Sequence, residues 1–234
     1  MAKKESRTVI ISLGGSLVVP EDVDTIFVRD FKKLVENKIK KDDIRFILIV
    51  GGGKLARNYI MAADKVGEIT NEDKDWIGIH ATRMNAHFIR TVFHKNAYKK
   101  IITNEEKIEE CLGSDAPVVI ASGWRPGNST DFIAVNLAKQ LGIKNVINLS
   151  NISYVYDKDP GKYFTAQKIK NISWHDFREM FNQDWIPGLN TPFDPIAAQM
   201  AEEENFQVVI MNGKNLENLN KYLDGKEFEG TVIG

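Results

Sequence analysis

The sequence of 234 residues contains a single cysteine, Cys111. One cysteine cannot form a disulfide within the chain, which excludes a disulfide-stapled scaffold and favours a reducing compartment. A chain of this length buries roughly 70% of the surface that its unfolded form exposes, so it does not need disulfide bonds for stability. We therefore interpret Cys111 as a packing residue and expect a cytoplasmic protein.

The sequence also lacks an excess of charge and a long hydrophobic run. Its 31 Lys and Arg residues nearly balance 32 Asp and Glu residues, whereas nucleic-acid-binding proteins usually carry a basic excess. No apolar stretch approaches the roughly 18 residues of a membrane span. The longest near the N-terminus, residues 9–19, is interrupted by glycines and serines, and Pro20 follows it instead of a small-residue cleavage site. We expect no nucleic acid, no membrane and no signal peptide.

Strand-length apolar runs alternate with segments of helical period. The predicted strands cover residues 8–13, 45–50, 117–121, 145–149 and 206–211, with an edge strand at 230–234. The predicted helices cover residues 24–38, 54–65, 71–95, 130–141 and 215–223, the third with Asn71 as its N-cap. This alternation is typical of an α/β sandwich with a mainly parallel sheet. We treat the chain as one domain with two lobes that meet near residue 120.

Three glycine-bearing loops follow predicted strands and precede predicted helices. They cover residues 14–16, 51–54 and 123–131. Ligands of parallel sheets collect at the carboxyl ends of strands, and glycine lets backbone N–H groups approach an anion closely. One such loop is equally well explained by chain reversal, but three together favour a phosphate-rich ligand set. The sequence has no P-loop, no G-x-G-x-x-G and no protein kinase motifs.

Six segments, in chain order, resemble the UMP kinase branch of the amino acid kinase superfamily, particularly its archaeal-type form. They are residues 10–16 (IISLGGS), 50–57 (VGGGKLAR), 76–86 (WIGIHATRMNA), 123–131 (GWRPGNSTD), 150–160 (SNISYVYDKDP) and 193–198 (FDPIAA). The resemblance covers about residues 8–234. It implies a three-layer αβα fold, with UMP on the lobe of residues 1–120 and ATP on the lobe of residues 121–234.

The same resemblance implies the reaction ATP + UMP to ADP + UDP, which belongs to pyrimidine nucleotide biosynthesis. It further implies dependence on Mg²⁺ and assembly into a homohexamer. Two alternatives stay open. One is a sister kinase of the same fold whose acceptor is an isopentenyl phosphate or a carboxylate, and the other is a nucleotide-binding regulator or storage protein without turnover.

The resemblance also assigns roles to individual residues. The implied catalytic set, which contacts the transferring phosphate, is Gly14, Gly15, Ser16 and Asn151. The implied UMP contacts are Gly52, Gly53, Arg57, Trp124, Pro126, Gly127, Ser129, Thr130 and Asp131. The implied ATP contacts are Gly14, Gly15, Asn151, Tyr156, Asp159 and Pro160. Each has an ordinary structural alternative: a tight turn for the glycines, a solvent-facing helix position for Arg57, N-capping for the residues at 129–131, and an Asp-Pro turn at 159–160.

The chain departs from the family pattern at four positions. Ser12 stands where many members of the superfamily carry lysine, Ser153 and Tyr154 replace Asp and Gly, and Gln199 stands where lysine is common. Each change removes a charge or adds bulk in a segment that the resemblance places near phosphate. These departures are the reason for keeping the non-catalytic alternative.

The long predicted helix carries further candidates. His80, His87 and His94 recur every seven residues, which spaces them by roughly 10 Å along the helix and excludes a shared metal ion. We interpret this stripe as an exposed or subunit-facing surface, and no metal ligands are predicted. Arg83 is a candidate at the border of the UMP site.

Overall fold

The computed structural model describes residues 7–181 and 191–234. The described residues form ten β-strands and nine α-helices. The strands are β1 (Thr8–Leu13), β2 (Arg45–Val50), β3 (Ala97–Ile102), β4 (Val118–Ala121), β5 (Asn145–Ser150), β6 (Val155–Tyr156), β7 (Lys168–Ile169), β8 (Asn171–Ile172), β9 (Gln207–Asn212) and β10 (Thr231–Ile233). The helices are α1 (Gly15–Val18), α2 (Thr25–Asp42), α3 (Gly53–Val66), α4 (Asn71–Val92), α5 (Ile108–Leu112), α6 (Thr130–Leu141), α7 (Trp174–Met180), α8 (Pro195–Glu203) and α9 (Leu216–Leu223), with a 3₁₀ turn at Glu105–Lys107.

The central sheet has the strand order β3-β4-β2-β1-β5-β9-β10-β8. Its neighbouring strands pair in parallel, except that β10 is antiparallel to β9. Strand β2 lies on one side of β1 and strand β5 lies on the other, so the strand order reverses at β1. Open α/β sheets bind ligands at such a reversal of strand order, outside the carboxyl ends of the strands.

Each face of this sheet has its own hydrophobic core, because successive side chains of a strand point to opposite faces. On β1, Ile11 and Leu13 pack into one core with residues of α1, α2, α4 and α9. Ile10 packs into the other core with residues of α5, α6, α7 and α8. The result is a helix layer, a sheet layer and a second helix layer, which confirms the predicted three-layer αβα sandwich.

Two details of the predicted elements are wrong. The N-cap of α4 is Thr70 and not Asn71: the Thr70 hydroxyl accepts the N–H of Asp73, whose carboxylate accepts the N–H of Thr70. This reciprocal capping box satisfies two amide groups that Asn71 could not reach. The C-terminal strand β10 is not an edge strand, because it lies between β9 and the short edge strand β8.

Several elements went unpredicted because their signals are short or mixed. The edge strand β3 contains two exposed lysines, and the two-residue strands β7 and β8 and the seven-residue helix α7 are too short to give a clear periodic signal. The sheet runs continuously through both predicted lobes, so their division near residue 120 stays a prediction. No helix in residues 7–181 and 191–234 is long and apolar enough to cross a membrane.

Candidate active site

Four strand-end loops lie side by side above the sheet, because β4, β2, β1 and β5 are neighbours. They surround a cleft with a volume of about 590 Å³. The cleft is lined by Ser16 after β1, by Gly52, Gly53, Ala56, Arg57 and Ile60 after β2, by Lys74, Asp75, Gly78, Ile79 and Thr82 of α4, by Gly123, Asn128, Ser129, Thr130 and Asp131 after β4, by Asn151 after β5, and by Thr191, Asp194 and Pro195 before and within α8.

The loops after β1 and β2 pack backbone against backbone. A Cβ atom added to Gly15 would lie 2.1 Å from the amide nitrogen of Gly53 and 2.5 Å from the carbonyl carbon of Gly51. Gly53 itself has a φ of +62°, in the left-handed region that favours glycine. These positions require glycine, so the two strand-end loops can approach closely enough to share one cleft.

The helix α3 begins in the cleft, with Gly52 as its N-cap and no side chain capping its first amide groups. Arg57 is exposed one turn further along and lines the same cleft. Free amides and a positive helix end attract anions, and a guanidinium group matches the geometry of phosphate. This side of the cleft is therefore suited to a phosphorylated ligand.

Asp131 lies at the floor of the cleft, at the start of α6. Its Oδ1 accepts hydrogen bonds from the Ser12 hydroxyl at 2.8 Å and from the Asn148 amide at 3.0 Å. Ser12 and Asn148 are register partners on β1 and β5. Burial raises the pKa of the Asp131 carboxyl from 3.8 to about 7, with a further contribution from the nearby charge of Asp194, although the Ser12 hydroxyl acts in the opposite direction.

Asp75 closes the cleft from the first turns of α4. Its Oδ2 accepts the backbone N–H of Gly127 at 2.8 Å, which joins α4 to the loop after β4. Burial raises the pKa of this carboxyl, while the Gly127 N–H lowers it. Lys74 beside it pairs with Asp64 of α3 at 2.9 Å. The cleft thus has a polar wall opposite Arg57.

Eight of the predicted site residues meet in this cleft: Ser16, Gly52, Gly53, Arg57, Ser129, Thr130, Asp131 and Asn151. Gly14 and Gly15 lie in the backbone contacts among the loops, where the Gly14 N–H donates to the Leu149 carbonyl at 2.8 Å. Pro126 and Gly127 belong to the loop after β4 but do not line the cleft. The roles predicted for all these residues stay predictions.

Trp124 occupies a different position from the one predicted. Its ring is 4% exposed and belongs to the core beneath α5 to α8, where it cannot stack on a ligand in the cleft without moving. The Ser129 hydroxyl accepts the N–H of Phe132, so Ser129 is the N-cap of α6, which is the structural role that the sequence also allowed for it. The N-cap position still leaves Ser129 at the cleft.

Three residues predicted to contact ATP lie outside the cleft. Tyr156 is in the short β6–β7 hairpin, and Asp159 and Pro160 are exposed in the turn that follows β6. The Asp159 carboxylate accepts the N–H of Gly161 at 2.9 Å, as expected for an Asp-Pro turn. Their contact with the donor nucleotide stays a prediction.

The four departures from the family pattern have different surroundings. Ser12 touches the cleft carboxylate, as described above. Tyr154 is buried under the Lys168 ammonium, which lies 4.9 Å from the ring centre. Ser153, next to it, is half-buried. Gln199 donates to Glu203 along the outer surface of α8 at 2.9 Å, so its side chain does not face the cleft.

Sequence reasoning missed several cleft residues, among them the polar residues Lys74, Asp75, Thr82, Thr191 and Asp194. Thr82 and Asp194 belong to segments on which the resemblance was based, but neither was chosen as a site residue. Of the candidates on α4, Arg83 does not line the cleft, and His80 and His87 are exposed. His94 is exposed too but lies beyond the end of the helix at Val92. Cys111 is a buried free thiol, which confirms its packing role.

Comparison with known proteins decides the family. Residues 7–212 match the family model described as the amino acid kinase family. The chain belongs to the amino acid kinase family. Its curated relatives include the uridylate kinases from Hyperthermus butylicus, which is 30% identical to this chain, and from Thermococcus kodakarensis, which is 32% identical. These alignments cover 97% and 96% of the chain and 98% of each relative.

Solved structures agree with this family assignment. The crystal structure of uridylate kinase from Archaeoglobus fulgidus matches with a TM-score of 0.81 and 33% identity, over 97% of this chain and 99% of that one. UMP kinase from Ureaplasma parvum matches with a TM-score of 0.78 but only 19% identity, which supports the amino acid kinase fold alone. The resemblance found in the six sequence segments is thereby confirmed.

Proposed function

We propose that this chain is a UMP kinase that transfers the γ-phosphoryl group of ATP to UMP. The observation that carries the proposal is the convergence of four strand-end loops on one cleft, which contains an arginine and the amides of Gly52 and Gly53, neither of which donates to another residue of the described ranges. Full-length similarity to uridylate kinases supports UMP as the acceptor.

On the acceptor side, the amides of Gly52 and Gly53 and the guanidinium of Arg57 hold the UMP phosphate. Residues of the loop after β4, with Thr130 at its end, contact the rest of the nucleotide. An oxygen of the UMP phosphate attacks the γ-phosphorus, and the bond from that phosphorus to the β,γ-bridging oxygen breaks, so ADP leaves with the electron pair. The attacking phosphate oxygen is already ionised at neutral pH, so this step needs no general base.

On the donor side, Gly14, Gly15 and Ser16 lie between the acceptor loop and the loop that carries Asn151. The N–H groups of Gly15 and Ser16 at this central position stabilise charge on the transferring group without covalent chemistry, while the Gly14 N–H, which donates to the Leu149 carbonyl, holds the loop in place. Tyr156, Asp159 and Pro160 are assigned to the ATP base and ribose by the family resemblance. By the family resemblance, UMP belongs chiefly to the lobe of residues 1–120 and ATP chiefly to the lobe of residues 121–234, with residues 123–131 reaching UMP from the second lobe and residues 14–16 reaching ATP from the first.

The carboxylates of Asp131 and Asp194 fit a Mg²⁺ ion that arrives with ATP. The nearby charge of Asp194 raises the pKa of Asp131, and two carboxylates that repel each other are suited to sharing a divalent cation. Residues 7–181 and 191–234 contain no group of three or more His, Cys, Asp or Glu residues that could hold a metal ion, so the two carboxylates would hold Mg²⁺ together with the bound nucleotide. When bound, Mg²⁺ neutralises charge on the β- and γ-phosphates.

The proposal also includes a cytoplasmic location and a homohexamer, both inferred from the family. The exposed side chains of Trp76, His80 and His87 on α4, and of His94 just beyond its end, are available for contacts between subunits.

An acceptor screen tests the proposed function. Purified protein with Mg²⁺ and ATP is offered UMP, CMP, isopentenyl phosphate and acetylglutamate in separate reactions, and ADP release is coupled to NADH oxidation. We expect UMP to give the highest kcat/KM. Turnover of another acceptor with indifference to UMP would favour the sister kinase, and tight nucleotide binding without any ADP would favour the regulator.

A further inference from the structure

One turn of α4 carries three polar residues, Thr82, Arg83 and Asn85, that contact the strand-end loops. Thr82 and Asn85 are buried, and Arg83 is half-buried. Their partners are backbone groups of the two loops that form the acceptor side of the cleft. We propose that these residues are positioning residues for the acceptor phosphate, with Asn85 as the principal one. This inference rests on the proposed UMP kinase function.

Asn85 holds the loop after β2. Its side-chain amide donates to the carbonyl oxygens of Gly51 at 2.9 Å and of Gly52 at 3.0 Å. In a trans peptide the C=O and N–H groups point in opposite directions, and the described residues contain no cis peptide bond. Fixing these two carbonyls toward α4 therefore turns the N–H groups of Gly52 and Gly53 away from α4.

Those two N–H groups are free to meet a ligand. Neither donates a hydrogen bond to another residue of the described ranges, and both glycines line the cleft. Glycine peptides rotate easily, so without Asn85 the two peptide planes would have no side chain to orient them. Asn85 itself does not line the cleft, and it acts on the ligand only through the loop.

Thr82 and Arg83 hold the loop after β4 in the same way. The Thr82 hydroxyl accepts the N–H of Gly123 at 2.8 Å and donates to the carbonyl of Ile79 at 2.7 Å. The Arg83 guanidinium donates to the carbonyls of Trp124 at 3.1 Å and of Gly123 at 3.4 Å. One rigid helix thereby sets the spacing between the two loops that grip the acceptor.

The decisive variant is Asn85→Leu, which keeps the branched shape of asparagine and is larger, but lacks both donors; Asn218→Leu, described below, makes the same change in size. We expect the KM for UMP to rise about 10-fold, because preorganised amides lose their orientation, while the KM for ATP stays within about twofold. Calorimetry should show the same loss in the Kd for UMP. Loss of a residue that only stabilised the fold would not raise the KM for UMP while leaving the KM for ATP nearly unchanged.

Asn218→Leu is the matched control. Asn218 is also buried, and its amide makes two backbone hydrogen bonds with Glu229, but outside the acceptor cleft. This variant should lower the Tm without raising the KM for UMP. If Asn85→Leu does not fold, Thr82→Val and Thr82→Ser make the same comparison at the other loop: valine should raise the KM for UMP and serine, which keeps the hydroxyl, should not.

The outcomes separate the inference from the function on which it rests. A wild-type protein that neither binds nor phosphorylates UMP would overturn the proposed function. A wild-type protein that uses UMP, with an unchanged KM for UMP in Asn85→Leu or in Thr82→Val, would overturn the positioning role and leave the proposed function standing. Equal increases in the KM for UMP and for ATP would also contradict it.

Discussion

Replacing Asp131 with asparagine should make the protein more stable at alkaline pH while lowering its activity. The wild-type carboxyl lies at the floor of the cleft, where it accepts hydrogen bonds from the neutral side chains of Ser12 and Asn148 and from the backbone of Asp194. Burial raises its pKa from 3.8 to about 7, so ionisation of this carboxyl above neutral pH lowers the free energy of unfolding. Asparagine has the same shape and never ionises.

The size and sign of the effect follow from this pKa. Each pKa unit corresponds to about 1.4 kcal/mol, so a rise from 3.8 to about 7 limits the effect to about 4 kcal/mol. Water in the cleft reaches part of Asp131, and about 2 kcal/mol is a realistic value. Because folding raises the pKa of Asp131, the protonated carboxyl contributes its full stabilisation of the folded state below pH 4. This stabilisation is lost as the pH rises to about 7. The advantage of Asp131→Asn should therefore grow between pH 4 and 8.

Urea denaturation of wild type and Asp131→Asn at pH 4, 6 and 8 measures this difference. The free energy of unfolding of the variant should exceed that of wild type by about 2 kcal/mol more at pH 8 than at pH 4. Asp22→Asn, at an exposed aspartate, controls for the change in net charge and should show no such growth. A stability difference that does not depend on pH, or one that favours wild type more strongly at pH 8, would refute this reasoning.

Three further variants test the site and its support. Arg57→Ala should raise the KM for UMP by about 10- to 100-fold and that for ATP by less than about twofold, and an unchanged KM for UMP in steady-state kinetics would remove Arg57 from the acceptor site. Gly15→Ala should lower the free energy of unfolding by about 1–3 kcal/mol, because its Cβ would meet the Gly53 nitrogen at 2.1 Å, whereas Gly67→Ala, with nothing within 4 Å, should be close to neutral in the same urea titration. Thr70→Ala should cost about 1 kcal/mol of stability through loss of the α4 cap and leave the kinetics unchanged; a cost below about 0.3 kcal/mol would show that the cap does not stabilise this helix.

The sequence predicts well what depends on local chemistry. The buried strands at 8–13 and 45–50 and the glycine loops after them are correct, because an apolar run followed by glycine encodes a strand end without help from distant residues. The helix at 130–141 ends at Gly142, which has a φ of +64°, again as the local signal predicts. Since parallel strands bring their carboxyl ends to one edge, the convergence of these loops was also predictable.

Features that depend on distant partners were not predictable. Nothing near Asp131 in the sequence indicates that Ser12, 119 residues away, would donate to its carboxylate. Nothing near Asn85 in the sequence indicates that backbone carbonyls of another loop would satisfy its amide and allow it to be buried. Trp124 was interpreted as a ligand contact in the glycine loop at residues 123–131. Its ring instead packs in the core with residues of α5 to α8, of which α7 and α8 are distant in the sequence.

A crystal structure with UMP and a non-hydrolysable ATP analogue would show both sides of the cleft at once. We expect UMP phosphate oxygens at about 2.7–3.2 Å from the amide nitrogens of Gly52 and Gly53, with the Arg57 guanidinium beside them. We also expect the γ-group of the analogue next to Gly14 and Gly15, facing that phosphate. Well-ordered UMP bound elsewhere on the chain, with these amides turned away from it, would contradict this arrangement.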